Sequence, residues 1–111
     1  MTRNYELKSI NSKQEAEDLL KKSRNRIDEI DNELFDLIYQ RTSIAKDIAL
    51  SKEYLGMPVF DKNREDIVYK KIDDLCNDLG LDVEIINQIV NMLTILNKNE
   101  QEKILRRNVD G

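Results

Sequence analysis

From Ser12 to about Lys52 the chain keeps a helical apolar period without one Gly or Pro, and this stretch limits what it can fold into. It predicts a single helix of about 40 residues, roughly 60 Å long at about 1.5 Å per residue. Ser12-Lys13-Gln14-Glu15 has the pattern of a capping box at its start. The one Pro and two of the three Gly fall at Gly56-Met57-Pro58 and Gly80. Strand-rich folds of this size need a turn every ten or so residues, so the expected class is all-α. With 111 residues, 40% of them hydrophobic, the chain is expected to form one domain.

Gly56 to Pro58 ends the long helix, Asp61 is a good N-cap for a second, and Gly80 is placed to end that one near Leu79. Asp82 can cap a third. The second helix carries Ile67, Val68, Ile72, Leu75, Cys76 and Leu79 on one side, and the third carries Ile86, Ile89, Val90, Leu93, Leu96, Ile104 and Leu105. One long, one short and one medium helix result. A helix much longer than its partners cannot cover its own apolar stripe, so a second copy is expected to complete the bundle as a homodimer. Met1 to Asn11 reads as a loosely docked extension.

Composition removes several functions. Without His there is no histidine base, Ser-His triad or histidine metal site. A lone Cys76 in an apolar segment reads as a buried structural thiol. No segment has the apolar length of a signal peptide core or a membrane span, which points to the cytoplasm and away from membranes. A net charge of -4 with two Phe, four Tyr and no Trp argues against nucleic acid.

The informative residues are polar ones at apolar positions. Alternating steps of three and four along the first helix pass through Leu20, Arg24, Ile27, Ile30, Leu34, Leu37, Arg41, Ile44, Ile48 and Lys52. Three cations interrupt one seam. In the second helix the stripe extends back to Arg64, with Glu65 beside it and Asp61 a turn earlier; in the third, Asn97 and Gln101 follow Leu93 on one face. Long cations can snorkel or set dimer register. Six polar groups on the core-facing sides of all three helices, without matching acids, are better explained by an anionic guest, because unpaired buried cations cost several kcal/mol each.

Arg41 and Lys52 lie roughly 16 Å apart along a helix, within reach of one small ligand, whereas Arg24 lies about 42 Å from Lys52 on a straight helix. Arg24 can therefore join that pocket only from a second chain, which an antiparallel pairing of the long helices allows. Arginine forks suit carboxylates or phosphates, and without a Gly-rich phosphate cradle a small dicarboxylate is the expected guest. Glu65, Asn97 and Gln101 suit hydroxyl and ether oxygens. So few bases and nucleophiles imply chemistry by positioning and charge stabilisation.

These residues resemble the all-helical chorismate mutases. The likeness rests on Arg24-Asn-Arg-Ile-Asp-Glu-Ile-Asp-Asn-Glu-Leu, on Leu37-Ile-Tyr-Gln-Arg41 with Ala45, Ile48 and Lys52, and on Met57-Pro-Val-Phe-Asp61-Lys-Asn-Arg64-Glu65. Gly80-Leu-Asp and Gln101 match landmarks of the third helix. The resemblance implies an intertwined homodimeric helical bundle, with 1–23 an N-terminal extension running into the long helix, 24–105 the helical domain and 106–111 a tail. It implies conversion of chorismate to prephenate by a Claisen-type rearrangement in phenylalanine and tyrosine biosynthesis, with no cofactor and no metal.

By the same resemblance, Arg24 of the partner subunit and Arg41 would hold the substrate carboxylates. Lys52 would bind a carboxylate and the ether oxygen, and Arg64 would support the carboxylate cluster. Glu65 would accept the ring hydroxyl, Asp61 would anchor the rim, and Gln101 would donate to the ether oxygen opposite Lys52. Asn97 departs from the small hydroxyl residue of one subgroup but can contact a carboxylate. A lyase that removes pyruvate from isochorismate shares such a pocket, and a non-catalytic helical module is the alternative from another class.

Overall fold

A computed structural model describes residues 9–110, and among them there are helices and no strands. Four helical segments follow one another: α1 (Lys13–Ser43), α2 (Ala45–Leu55), α3 (Lys62–Leu79) and α4 (Val83–Asp110). The expected extension Met1 to Asn11 lies mostly outside the described residues. No helix among them is long and apolar enough to cross a membrane.

The start signals act as their chemistry requires. Ser12 Oγ accepts the Glu15 N–H at 3.1 Å, while the Glu15 carboxylate reaches back to the Asn11 N–H at 2.9 Å, one residue further than in the standard capping box. Asp61 caps α3 by accepting the Arg64 N–H, and Asp82 Oδ1 accepts the N–H groups of Glu84 and Ile85 at the start of α4. Both stops are left-handed glycines. Gly56 has φ 69°, and the Met57 and Gly56 N–H groups bond to the Lys52 and Glu53 carbonyls, which is the Schellman pattern. Gly80 has φ 67°, and its N–H and that of Leu81 both reach the Cys76 carbonyl.

One boundary differs from the sequence reading. The long first helix has a local break at the single residue Ile44, where α1 passes into α2, and it runs on to Leu55. Ile44 itself keeps right-handed helical angles, and its N–H still reaches the Gln40 carbonyl, at a long 3.3 Å. Asn97 Nδ2 donates to the Arg41 carbonyl at 3.0 Å, and a side chain bonded into a helix ladder is a recognised cause of such breaks.

The chain divides into two units, one ending at Tyr39 and one beginning at Gln40. In the first, α1 carries no buried residue, and Leu20, Ile27, Ile30, Leu34 and Leu37 are 44–60% exposed along its stripe. In the second, α4 packs against both α2 and α3. Its core is small: Ala45, Ala49, Cys76 and Val90 are buried. Ala45 and Ala49 are one turn apart, and such small side chains let two helices approach closely. Cys76 is a buried free thiol, as its apolar setting implied. The stripe of α3 is only partly covered, since Ile67 and Leu75 remain exposed; so do Ile89 and Leu96 of α4.

Candidate active site

The buried positions of α2 sit one residue beyond the mixed seam read from the sequence. Ala45 and Ala49 fill the core, while Arg41, Ile44, Ile48 and Lys52 line a cleft of about 230 Å³. This cleft is the meeting point of the polar exceptions. From α3 and the loop before it come Val59, Asp61, Arg64, Glu65 and Val68, and from α4 come Thr94, Asn97, Lys98 and Gln101. Every expected site residue of this unit is there. Arg24 belongs to the other unit, where it is exposed and forms no hydrogen bond or ion pair among the described residues.

The cleft floor is a chain of hydrogen bonds whose polarity is fixed at both ends, by a carbonyl that only accepts and an ammonium that only donates. A carbonyl can only accept, so the Arg41 carbonyl selects the Nδ2 of Asn97. Asn97 Oδ1 then accepts Gln101 Nε2 at 2.7 Å, and Gln101 Oε1 accepts from Lys52 Nζ at 3.1 Å. Lys52 Nζ also donates to the Val59 carbonyl at 2.6 Å, tying the loop between α2 and α3 to the floor. Gln101 is 4% exposed, a buried amide with both ends engaged. Two of three ammonium protons and one of two amide protons are used, which leaves Lys52 and Gln101 one donor each for a ligand oxygen.

Around this floor the charge is positive. Arg41, Lys52, Arg64 and Lys98 face two carboxylates, and both carboxylates are occupied. Asp61 caps α3, and Glu65 Oε2 accepts from Lys98 Nζ at 3.1 Å. Arg41 Nη1 reaches the Leu93 carbonyl at 3.0 Å, and Arg64 has no partner for its guanidinium among the described residues. Next to the rim, the exposed Lys62 amine is held above its usual range by a hydrogen bond to Asp66 and by the charge of that carboxylate.

Three contributors were not read from the sequence: the Val59 carbonyl, Thr94 and Lys98. A backbone carbonyl has no residue-type signal. Thr94, Lys98 and Gln101 form a second ridge on α4 at spacings of four and three, beside the Leu93, Asn97 and Gln101 ridge that the periodicity selected. Among the described residues no group of three or more His, Cys, Asp or Glu side chains is arranged to hold a metal ion.

A family model described as chorismate mutase type II matches residues 23–107, which include all the cleft residues. The chain belongs to the chorismate mutase type II family. It is 42% identical over 82 residues to a protein named chorismate mutase from Methanocaldococcus jannaschii, covering 74% of this chain and 83% of that protein. No solved structure matches it. A chorismate mutase is an isomerase, and the cleft of this chorismate mutase type II chain suits such a reaction. It offers donors and positive charge for an oxygen-rich anion and needs no group to shuttle protons.

Proposed function

We propose that the cleft binds chorismate as a dianion and converts it to prephenate by a [3,3] rearrangement. One ether C–O bond breaks and one C–C bond forms as six electrons shift around a ring, with no proton transferred and no covalent intermediate. Negative charge grows on the ether oxygen as its bond to carbon lengthens. The observation that carries this reading is the spare ammonium proton of Lys52 beside the spare amide proton of Gln101, two fixed donors on the buried floor of a cationic cleft. Donors already held in place stabilise developing charge without reorganising.

Arg41 and Arg64 take the carboxylates, with Asn97 close enough to assist. Glu65 accepts the ring hydroxyl, and Asp61 fixes the rim through the start of α3. The substrate is flexible, and binding it in a compact, chair-like shape adds to the electrostatic effect; together they lower the barrier by at least several kcal/mol. The exposed stripe of α1 supports a homodimer in which Arg24 of the partner subunit completes each cleft.

The test is to add chorismate to the purified chain, follow the loss of its diene absorbance, and identify the product by acid conversion to phenylpyruvate. Saturable formation of prephenate is expected. An untouched substrate would overturn the reading, and turnover of isochorismate in its place would reassign the chain to pyruvate elimination.

A further inference from the structure

Lys98 was selected neither by the apolar period nor by its neighbours, yet it makes an unusual contact. Of the ion pairs among the described residues, Lys98 with Glu65 joins two helices, whereas the others link residues three or four apart on one helix. Lys98 and Glu65 are 26% and 22% exposed, the most sheltered of these pairs, and a pair withdrawn from solvent is screened less by salt. The ammonium also lies 5.2 Å from the centroid of the Phe60 ring, within cation–π range, so the loop before α3 helps to locate it. Both members of the pair line the cleft.

We propose that Lys98 is a positioning residue that acts through Glu65, an inference that rests on the chorismate reading. It occupies Oε2 and holds the carboxylate in one orientation. Oε1, which has no hydrogen-bond partner among the described residues, is then available to the ring hydroxyl of the ligand. The pair has a second effect. Asp61 and Glu65 are the two carboxylates that line the cleft a dianion enters, and Lys98 offsets the charge of Glu65. A carboxylate without that lysine would repel the ligand and sample several rotamers.

The hydroxyl does not take part in the bond changes, so its contact is equally strong before and during reaction. Such uniform binding appears in KM and not in kcat. The experiment is a double-mutant cycle on the full chain, with chorismate as substrate, using Lys98→Met, Glu65→Gln and the combination. Lys98→Met is expected to raise KM about tenfold with kcat changed less than about threefold, the size expected for a charge-assisted contact.

In the Glu65→Gln background the same change should alter KM by less than about twofold. Lys98→Arg should restore most of the loss. Should Lys98→Met fail to give a helical circular dichroism spectrum, Lys98→Gln, polar and of similar reach, takes its place in the cycle. Equal penalties in both backgrounds, or a loss confined to kcat, would overturn the role assigned to Lys98. The wild-type assay settles the chorismate reading separately, since the cycle compares variants of a chain whose turnover has already been measured.

Discussion

Lys52 combines two duties in one ammonium. It ties the α2–α3 loop through the Val59 carbonyl and presents a remaining proton to the cleft beside Gln101. Lys52→Ala is expected to lower kcat by about a hundred- to a thousandfold, the usual scale for losing a fixed donor to a developing oxyanion. Helix content by circular dichroism should be retained, because Ala45 and Ala49 make the core contact on α2; near-normal turnover would exclude the ether-oxygen role. Asn97 works at one remove. Its Oδ1 accepts from Gln101 Nε2 while Lys52 selects Gln101 Oε1 from the other side, so Asn97→Ala leaves the amide held at its oxygen only. The amide nitrogen would then lack its fixed partner and be less firmly placed, and a loss of about tenfold in kcat/KM is expected from steady-state assays. An unchanged kcat/KM would show that the amide keeps its orientation without Asn97.

At the level of the elements, the helix ends are specified locally and the cleft depends on them. Gly56 and Gly80 both have positive φ, and a Cβ at either would meet nothing within 4 Å, so only backbone strain opposes alanine there. Gly80→Ala should therefore reduce unfolding free energy by about 1 kcal/mol, read as a lower denaturant midpoint with unchanged slope. A much larger loss would mean that Gly80 is tightly packed after all. The N-cap at Asp61 has a comparable weight, since losing a cap typically costs about 1 kcal/mol. Asp61 also begins the helix that carries Arg64 and Glu65, so the same local signal that starts α3 sets where two cleft residues stand.

For the molecule as a whole, the exposed stripe of α1 from Leu20 to Leu37 and the cleft lined by residues from Arg41 to Gln101 are parts of one proposal. Leucine and isoleucine at Leu20, Ile27, Ile30, Leu34 and Leu37 are each 44–60% exposed, a run of apolar surface that a second copy would cover. A thermal midpoint that rises with protein concentration, together with a dimer mass by sedimentation, is expected. Mixing an Arg24→Ala chain with a Lys52→Ala chain should restore activity, because a heterodimer keeps one cleft with both groups intact. No recovery in a confirmed heterodimer would refute the shared cleft.

Much of this protein is legible in the sequence because its signals are short in range. The capping residues Ser12, Asp61 and Asp82 and the glycines 56 and 80 act within one helical turn, so the helix boundaries of α3 and the starts of α1 and α4 follow from local chemistry. The polar exceptions Arg41, Lys52, Arg64, Glu65, Asn97 and Gln101 are visible for a similar reason, since each breaks a period that its own helix establishes. Only the tertiary structure decided the rest. The break at Ile44 coincides with the Asn97 side chain bonding to the carbonyl of Arg41, 56 positions before it, and no local pattern encodes that. The shift of the core from Ile44 and Ile48 to Ala45 and Ala49 depends on how closely α4 approaches. The pairing of Lys98 with Glu65 crosses 33 positions, and the direction of the Gln101 amide is set by the Lys52 ammonium, 49 positions away on another helix. Periodicity reports which face of a helix is exceptional; which group across a cleft answers it is a property of helices already packed.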